Sequence, residues 1–187
     1  YNGIWLMPIH PSDSYHGYDV NDYYQVNSAY GTLDDFKKLS EECHKRDIKL
    51  IIDLVLNHSG LNSTYFKRAT SAYNKQFNGQ PLTDQDKKYV DFYNFYPDKA
   101  SVPNGVTAYR PTGRKFYYEG NFSSNMPEFN CDSPYVLEEF QNIIKFWLDN
   151  GADGFRLDAV KYYYIGNNKK NVELLSKINE WTKKIKP

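Results

Sequence analysis

Three short runs of apolar, mostly β-branched residues stand out along the chain. They cover residues 3–9, 48–56 and 153–160. Within each run the apolar positions are nearly continuous and do not alternate with polar ones, which is typical of parallel strands covered on both faces. We therefore predict three parallel β-strands.

Apolar residues at helical spacing follow the first strand, between residues 33 and 43. Thr32 stands where an N-cap is expected, and Asp34 and Asp35 occupy the first turn, where the helix dipole favours negative charge. Cys43 falls on the apolar stripe and is expected to be a small buried residue. This segment is predicted to be a helix.

Two further helices are predicted near the end of the chain. The first covers residues 136–148 and has Ser133 at the cap position, Pro134 in the first turn and Gly151 just past its end. The second covers residues 172–185, where apolar positions again recur at helical spacing. Strands and helices thus alternate, which predicts an α/β fold with a parallel sheet.

A polar stretch rich in Tyr and Asn, residues 59–132, separates the second strand from the next predicted helix. It contains turn signals such as Asn78-Gly79 and Asn104-Gly105. Because it is far longer than an ordinary strand-to-helix connection, we interpret it as a functional excursion or a small subdomain. We call this stretch the insertion.

Polar side chains collect within the strands and beyond their carboxyl ends, the side on which α/β barrels and open sheets build their sites. In chain order these residues are His16, Tyr18, Asp19, Asp53, Asn57, His58, Arg156 and Asp158. All but Asp53 lie at or beyond a strand end, which predicts a functional site there.

Arg156 and Asp158 are two residues apart, so their side chains share one face of the strand. A purely structural ion pair is the alternative interpretation. However, Asp53 on the adjacent predicted strand is a second carboxylate that is able to pair with the same guanidinium. An arginine shared in this way would keep Asp158 ionised and aimed, as a displacement nucleophile requires.

Composition limits the classes of partner. The formal net charge is zero and the pI is about 7.1, so we predict no nucleic-acid binding and no attachment to an anionic membrane. No apolar run approaches the roughly 20 residues of a membrane helix, so no membrane span is predicted. The two cysteines, Cys43 and Cys131, do not support a disulfide framework. Aromatic residues make up 17% of the chain, including 18 Tyr, which fits either core packing or sugar binding.

Four segments resemble signature regions of the α-amylase family, glycoside hydrolase family 13. They are HGYD at residues 16–19, DLVLNH at 53–58, MPEFN at 126–130 and GFRLDAVK at 154–161. The resemblance covers essentially the whole chain and keeps the order of the motifs. It implies a portion of a (β/α)8 TIM barrel with an inserted domain B after the third barrel strand.

The resemblance also divides the chain into three parts. Residues 1–58 correspond to barrel strand 2, helix 2 and strand 3; residues 59–132 correspond to domain B; residues 133–187 correspond to helix 3, strand 4 and helix 4.

The resemblance implies roles for individual residues. Asp158 is similar to the carboxylate that attacks the anomeric carbon and forms a covalent glycosyl intermediate. Arg156 resembles the residue that orients this carboxylate. His58 resembles the imidazole that hydrogen-bonds the sugar being cleaved, Tyr18 the aromatic platform under that sugar, and Lys161 a ligand on the leaving-group side.

Two more substrate-binding residues are expected from the same motifs. His16 precedes Tyr18 in its segment. Tyr162 stands where many family members have His, and this departure favours stacking over a hydrogen bond on the leaving-group side.

The family's calcium site would use Asn57, the residue at 130 and the backbone carbonyl of Tyr162. Here Asn130 replaces an Asp, which reduces the charge offered to a hard cation. Calcium therefore remains an open expectation, and no organic cofactor is expected. The alternatives are a loop-stabilising hydrogen bond for Asn57 and a cap or turn before the helix for Asn130.

The implied activity is retaining hydrolysis of α-1,4-glucosidic bonds in starch, glycogen or maltooligosaccharides. This reaction needs two carboxylates about 5–5.5 Å apart. In the family the acid/base Glu follows the fifth barrel strand and a further Asp follows the seventh, and neither position is present. We therefore predict a fragment that is inactive alone and whose open sheet edges favour self-association.

Other functions remain open. An α-glucosidase or a transglycosylase of the same family fits the same motifs, and so does a non-catalytic carbohydrate-binding or assembly protein on the same scaffold. The resemblance does not fix the localisation, with an extracellular or cell-surface protein favoured over a cytoplasmic one.

Overall fold

The fold was analysed in a computed structural model that describes all residues, 1–187. Eleven elements follow one another: β1 (Gly3–Leu6), α1 (Leu33–His44), β2 (Lys49–Leu54), α2 (Thr64–Phe77), α3 (Asp84–Val90), β3 (Phe95–Tyr96), β4 (Ala108–Tyr109), β5 (Tyr117–Glu119), α4 (Pro134–Asp149), β6 (Gly154–Leu157) and α5 (Asn168–Ile185). None of the helices combines the length and hydropathy that crossing a bilayer requires.

The three predicted strands are confirmed and form one parallel sheet in the order β1-β2-β6. Each strand is shorter than its apolar run. β1 ends at Leu6, close to Pro8, which has no backbone N–H to continue the ladder. β6 ends at Leu157, and Ala159 just beyond it adopts a left-handed conformation with φ of 53°.

Only the central strand is covered on both faces. On β2, Leu50, Ile52 and Leu54 on one face and Asp53 on the other are fully buried, whereas Ile4 and Trp5 of β1 are 37% and 52% exposed. The expectation of coverage on both faces is therefore wrong for β1. The reason is that β1 is an edge strand with a single neighbour in the sheet.

Local capping explains where the helices begin. Thr32 is the N-cap of α1, as predicted, and it forms a capping box with Asp35. Ser133 stands at the N-cap of α4, but its hydroxyl makes no capping hydrogen bond, and Pro134 occupies the first turn instead. α5 begins four residues before the predicted start because the side chain of Asn167 caps its first turn, which carries no apolar pattern.

The insertion contains more regular structure than its composition indicates. Helices α2 and α3 lie in it, together with a small antiparallel sheet in the order β3-β5-β4. Its interior is aromatic: Phe66 lies in ring contact with Tyr93 at 5.2 Å and with Tyr118 at 4.8 Å between centroids. Much of the aromatic content therefore serves core packing.

Backbone pairing brings the insertion to the carboxyl end of β2. His58 pairs with Glu128 in an antiparallel bridge, and the N–H of Phe129 donates to the carbonyl of Asn57 at 2.9 Å. The segment MPEFN thus lies against the residues that follow β2. Cys43 on α1 and Cys131 just after this segment are both buried and unpaired, so no disulfide forms.

Candidate active site

Arg156 is shared between two carboxylates, as the sequence predicts. The strand register pairs Asp53 of β2 with Arg156 of β6. Nη1 of Arg156 donates to Oδ1 of Asp158 at 2.6 Å and to Oδ1 and Oδ2 of Asp53 at 3.0 and 3.3 Å. The side chain of Asp53 is fully buried and that of Asp158 is 19% exposed, so only Asp158 is open to a ligand.

The charged groups of this cluster shift one another's pKa. Burial raises the pKa of Asp53, while the hydrogen bond and the charge of Arg156 oppose that rise. Burial lowers the pKa of Arg156, but its hydrogen bonds to Asp158 and Asp53 outweigh that effect and raise it above its ordinary value. The guanidinium therefore stays charged and holds Oδ1 of Asp158 in one orientation.

Tyr18 joins the same cluster from the loop after β1. Its phenol donates to Oδ2 of Asp53 at 3.2 Å, and its ring lies 5.9 Å from the guanidinium carbon of Arg156. Burial and the neighbouring Asp53 raise the pKa of Tyr18, so the phenol remains a donor. Trp5 of β1, which the sequence analysis did not single out, lies 5.6 Å from the same guanidinium carbon. Two aromatic rings thus flank Arg156.

His16 supports Tyr18 directly. Its Nδ1 accepts a hydrogen bond from the backbone N–H of Tyr18 at 3.1 Å, and the two rings stack with centroids 5.9 Å apart. Ser14, which hydrogen-bonds Nδ1 of His16 at 3.0 Å, also donates to Asp19. The structure therefore gives His16 a positioning contact; its predicted substrate contact stays a prediction.

His58 is buried and already engaged by the protein. Its Nε2 lies 3.2 Å from the carbonyl of Tyr18, and its own carbonyl accepts a hydrogen bond from Tyr23 at 2.7 Å. Burial lowers the pKa of His58 to about 4, so the imidazole is neutral near pH 7. The contact with Tyr18 ties the residues after β2 to those after β1, and the predicted hydrogen bond to sugar stays a prediction.

Lys161 and Tyr162 follow Asp158 in the segment between β6 and α5. Both side chains are exposed, and Lys161 forms no ion pair. The ring of Tyr162 packs against Phe122 of the insertion with centroids 4.5 Å apart. Phe122 in turn lies 5.4 Å from the ring of His58. Phe122 was not among the predicted residues, because its contact with His58 depends on long-range pairing of the insertion that its local sequence does not indicate.

Asn130 is used as a turn residue. Its Nδ2 donates to the carbonyl of Asp91 at 3.1 Å, and its Oδ1 accepts from the N–H of Asp132 at 3.2 Å. This is the alternative foreseen for Asn130, a turn just before α4. The contact with Asp132 uses one lone pair of the side-chain oxygen, and the predicted calcium contact of Asn130 stays a prediction.

Two buried glutamates of the insertion share Asn121 as a hydrogen-bond donor. Glu119 and Glu128 are 8% and 3% exposed, and Nδ2 of Asn121 donates to both at 2.9 and 2.7 Å. The side chain of Asn57 hydrogen-bonds Glu128. Burial raises the pKa of Glu128 to about 7, and the hydrogen bond from Asn121 opposes this rise.

Neither glutamate has a cationic partner within the protein. Buried carboxylates are the ligand type that a hard cation such as Ca²⁺ prefers, although here the neighbouring amides of Asn121 and Asn94 already donate to them. No third acidic or imidazole group joins them, so the remaining ligands would be amide or carbonyl oxygens and water. The calcium site expected at Asn57, Asn130 and the carbonyl of Tyr162 stays a prediction, and Glu119 and Glu128 are further carboxylates near Asn57.

Comparison with known proteins adds to this geometry. Residues 1–185 match the family model described as the α-amylase catalytic domain. The chain is 41% identical over 184 residues to alpha-amylase 3 of Dictyoglomus thermophilum. This alignment covers 98% of the chain and 34% of alpha-amylase 3. It is 32% identical over 177 residues to the salivary alpha-glucosidase of Aedes aegypti, covering 87% of this chain and 28% of that protein.

The fold is similar to that of a solved structure as well. Amy13B of Eubacterium rectale superposes with a TM-score of 0.86 at 40% sequence identity. The match covers 98% of this chain and 34% of Amy13B. The chain thus spans about a third of the length of the proteins it matches.

Proposed function

Because this chain belongs to the α-amylase family, glycoside hydrolase family 13, and folds as a portion of its (β/α)8 barrel, we propose that the polypeptide carrying it cleaves α-1,4-glucosidic bonds. The substrates are starch, glycogen or maltooligosaccharides, and the anomeric configuration is retained. The observation that carries the proposal is the shared guanidinium of Arg156, which aims an accessible Asp158 at the carboxyl end of β6.

In this mechanism Oδ of Asp158 attacks the anomeric carbon while the bond to the leaving sugar oxygen breaks. The leaving oxygen takes a proton from the acid/base, and water later cleaves the covalent glycosyl ester. Tyr18 supplies the aromatic surface beneath the attacked sugar, and His58 and His16 hold Tyr18 in place. Lys161 offers its ammonium group to hydroxyls of the leaving sugar.

The acid/base is the part of the mechanism that this chain does not supply. A retaining enzyme needs a second carboxyl about 5–5.5 Å from its nucleophile. Asp53 is fully buried and bound to Arg156, and Glu119 and Glu128 are bound to Asn121. We propose that the second carboxyl lies outside residues 1–187 and that this chain alone does not turn over substrate.

An α-glucosidase acting on short oligosaccharides is the second candidate. The 32% identity to the salivary alpha-glucosidase supports it, and its chemistry at Asp158 is the same. The relative kcat/KM of the full-length polypeptide for maltose and for soluble starch separates the two candidates.

Trapping of the nucleophile tests the proposal. The full-length polypeptide is incubated with a fluorinated α-glucosyl donor that forms the glycosyl ester quickly and hydrolyses slowly. We expect a single covalent glycosyl adduct on the peptide that contains Asp158, and no adduct in the matched variant Asp158→Asn. An adduct on another carboxylate, or none at all in an active protein, would refute the assignment.

For calcium, we propose that Asn57, Glu119 and Glu128 hold the ion. Bound there, the ion would supply positive charge to two buried carboxylates and tie the insertion to the residues after β2. It has no assigned part in bond cleavage.

A further inference from the structure

A cavity of about 370 Å³ lies in the insertion, between α2 and the segment that follows β4. Its lining includes three positively charged side chains and three side chains with a hydroxyl group: Lys67, Arg110, Arg114, Thr70, Ser71 and Thr112. We call it the basic cavity. It shares no residue with the candidate active site, so the proposed mechanism does not account for it.

The positive charge of the basic cavity is not balanced within the protein. Lys67, Arg110 and Arg114 are exposed, and none of them forms an ion pair with a carboxylate. Among the lining side chains only Asn62 hydrogen-bonds a carboxylate, with its Nδ2 donating to Asp13 at 2.8 Å. Three cations without counter-charges therefore line one cavity of a chain whose formal net charge is zero. Such a concentration of one sign of charge attracts an anionic ligand.

Both arginines are held by contacts that leave their charge unpaired. The guanidinium carbon of Arg110 lies 4.7 Å from the centroid of the Tyr117 ring, and a ring orients the cation without supplying a counter-charge. The backbone N–H of Arg114 donates to the carbonyl of Pro111 at 3.0 Å, in a turn that Gly113 allows with a φ of 71°. Groups that are positioned beforehand lose less conformational entropy when a ligand binds.

The lining suits a phosphoryl group better than a carboxylate. A phosphoryl group carries about 1.5 to 2 negative charges at pH 7 and three acceptor oxygens, so it can engage more than one of the three cations. A guanidinium pairs with two phosphate oxygens at once, and an ammonium group adds a point charge. The hydroxyls of Ser71 and Thr112 are further donors. The volume is that of a small-molecule site, for which pockets of roughly 300–1,000 Å³ are usual.

We propose that the basic cavity binds the phosphoryl group of a small molecule, either free phosphate or a sugar phosphate. This inference goes beyond the proposed function, because cleavage at Asp158 does not involve the cavity. Free phosphate would use only the charged groups and their nearest hydroxyls. A sugar phosphate would add contacts from its own hydroxyls, so it should bind more tightly if it is the ligand.

Isothermal titration of the full-length polypeptide with inorganic phosphate and with glucose 6-phosphate tests the proposal. We expect one saturable site for the phosphoryl group, which added NaCl weakens because salt screens exposed charges. For Arg110→Ala and for Arg114→Ala we expect the Kd to rise about 10-fold or more, because each substitution removes a charge-assisted hydrogen bond. The measurement is of binding alone and does not depend on glycosidase activity.

Further variants control the experiment. Arg68→Ala removes a guanidinium that lies on α2 beside Lys67 but outside the cavity, where it bonds Tyr89 at 2.7 Å; its Kd should stay within about 2-fold of the wild type. Since Arg110 also packs on Tyr117, Lys67→Ala provides a variant whose side chain has no such contact, and its Kd should rise as well. Glucose, which is neutral, reports any binding at the candidate active site and should respond to none of these substitutions.

The outcomes separate the two sources and can overturn the inference. Tighter binding of glucose 6-phosphate than of inorganic phosphate identifies a sugar phosphate as the ligand, and equal Kd values identify free phosphate. If neither compound binds the wild type at about 10 mM, the cavity is not a phosphoryl site. Binding that persists unchanged in Arg110→Ala, Arg114→Ala and Lys67→Ala would place the anion elsewhere and refute the proposal.

Discussion

At the scale of single residues, Arg156 binds a buried carboxylate, Asp53, and an accessible one, Asp158. Its guanidinium is 42% exposed, but the carboxylate of Asp53 that it neutralises is fully buried. Removing the cation would leave a buried charge without a partner, which is among the more costly changes in a protein interior. The orientation of Asp158 and the stability of the sheet thus depend on one side chain.

A double-mutant cycle measures this dependence. For Arg156→Leu we expect a loss of about 2 kcal/mol or more in the free energy of unfolding, because Asp53 becomes unpaired. Adding Asp53→Asn to that variant should restore part of the loss, because the amide carries no charge. Urea unfolding of the full-length polypeptide gives the values. Strictly additive losses would show that the two residues are not coupled.

At the same scale, the sequence predicted the residues on the strands and missed those on the insertion. Asp53, Arg156 and Asp158 were predictable because strand register and the two-residue side-chain period place them together. Glu128 and Phe122 reach the site through long-range backbone pairing of the insertion, which no local pattern records.

At the scale of elements, Asp153 connects α1, β2 and the end of α5 at the amino-terminal edge of the sheet. It accepts hydrogen bonds from Nε2 of His44 on α1 at 2.7 Å, from the N–H of Leu50 on β2 at 2.8 Å and from Nζ of Lys186 after α5 at 2.8 Å. The side chain of Asp153 is 7% exposed. One carboxylate therefore fixes two helices to the central strand.

The contacts of Asp153 should make the free energy of unfolding depend on pH. Burial alone raises the pKa of Asp153, but hydrogen bonds from Lys186 and Leu50 lower it from 3.8 to about 2. A depressed pKa gives stability that is complete above the unfolded value of 3.8 and lost as the pH falls through about 2. We expect a contribution of about 2 kcal/mol at neutral pH.

Urea unfolding between about pH 2 and pH 5 measures this contribution. Asp153→Asn should be less stable at pH 5 and should lose less stability on acidification than the wild type. The control is Asp149→Asn, which removes a surface pair with Lys145 and should cost less than about 0.5 kcal/mol. Parallel pH profiles for the wild type and Asp153→Asn would contradict the assignment.

The connection between the insertion and β2 allows a test for calcium. If the ion binds at Asn57, Glu119 and Glu128, calcium at about 100 times its Kd should stabilise the fold by about 2.7 kcal/mol. Glu128→Gln should abolish most of the rise in Tm, whereas Asn130→Ala should preserve it at a lower baseline. If the Tm of the wild type responds neither to calcium nor to a chelator, calcium binding at this site is ruled out.

The elements themselves were predictable to different degrees. The three strands follow from continuous apolar runs, and α1 follows from helical spacing with Thr32 at its N-cap; the structure confirms all four. α2 and α3 were not predicted, because the insertion was interpreted as an excursion on its length and polar composition. The pattern was nevertheless present in α2, where the buried residues Phe66, Ala69 and Ala72 recur every three positions. The starts of both helices are also marked by capping side chains, at Ser63 and Thr83.

At the scale of the whole molecule, the sheet has two unpaired edges. β1 and β6 each have one neighbour, and Ile4, Trp5 and Met7 on and beside β1 are 37%, 52% and 56% exposed. Exposed apolar strands at an edge pair readily with other chains. The predicted self-association has this physical basis and stays a prediction.

Two measurements test the predicted self-association and the predicted lack of turnover of the 187-residue chain. By light scattering after gel filtration, we expect oligomers whose size falls when Ile4→Lys places a charge on the edge strand. By an assay of reducing sugar, we expect no release from soluble starch. Asp34→Lys, a charge change on α1 away from the edge, is the control and should leave the oligomers unchanged. A monomeric chain, or one with appreciable turnover, would contradict these expectations.

The two buried thiols offer a way to follow how this molecule opens. Cys43 reports on α1 against the sheet, and Cys131 reports on the junction between the insertion and α4. A thiol reagent reacts with a buried cysteine only when the structure around that cysteine opens. The two labelling rates therefore measure two separate local opening reactions. If Cys131 reacts much faster than Cys43, the junction between the insertion and α4 opens locally while the packing of α1 on the sheet remains intact. Equal rates would mean that the two parts open as one.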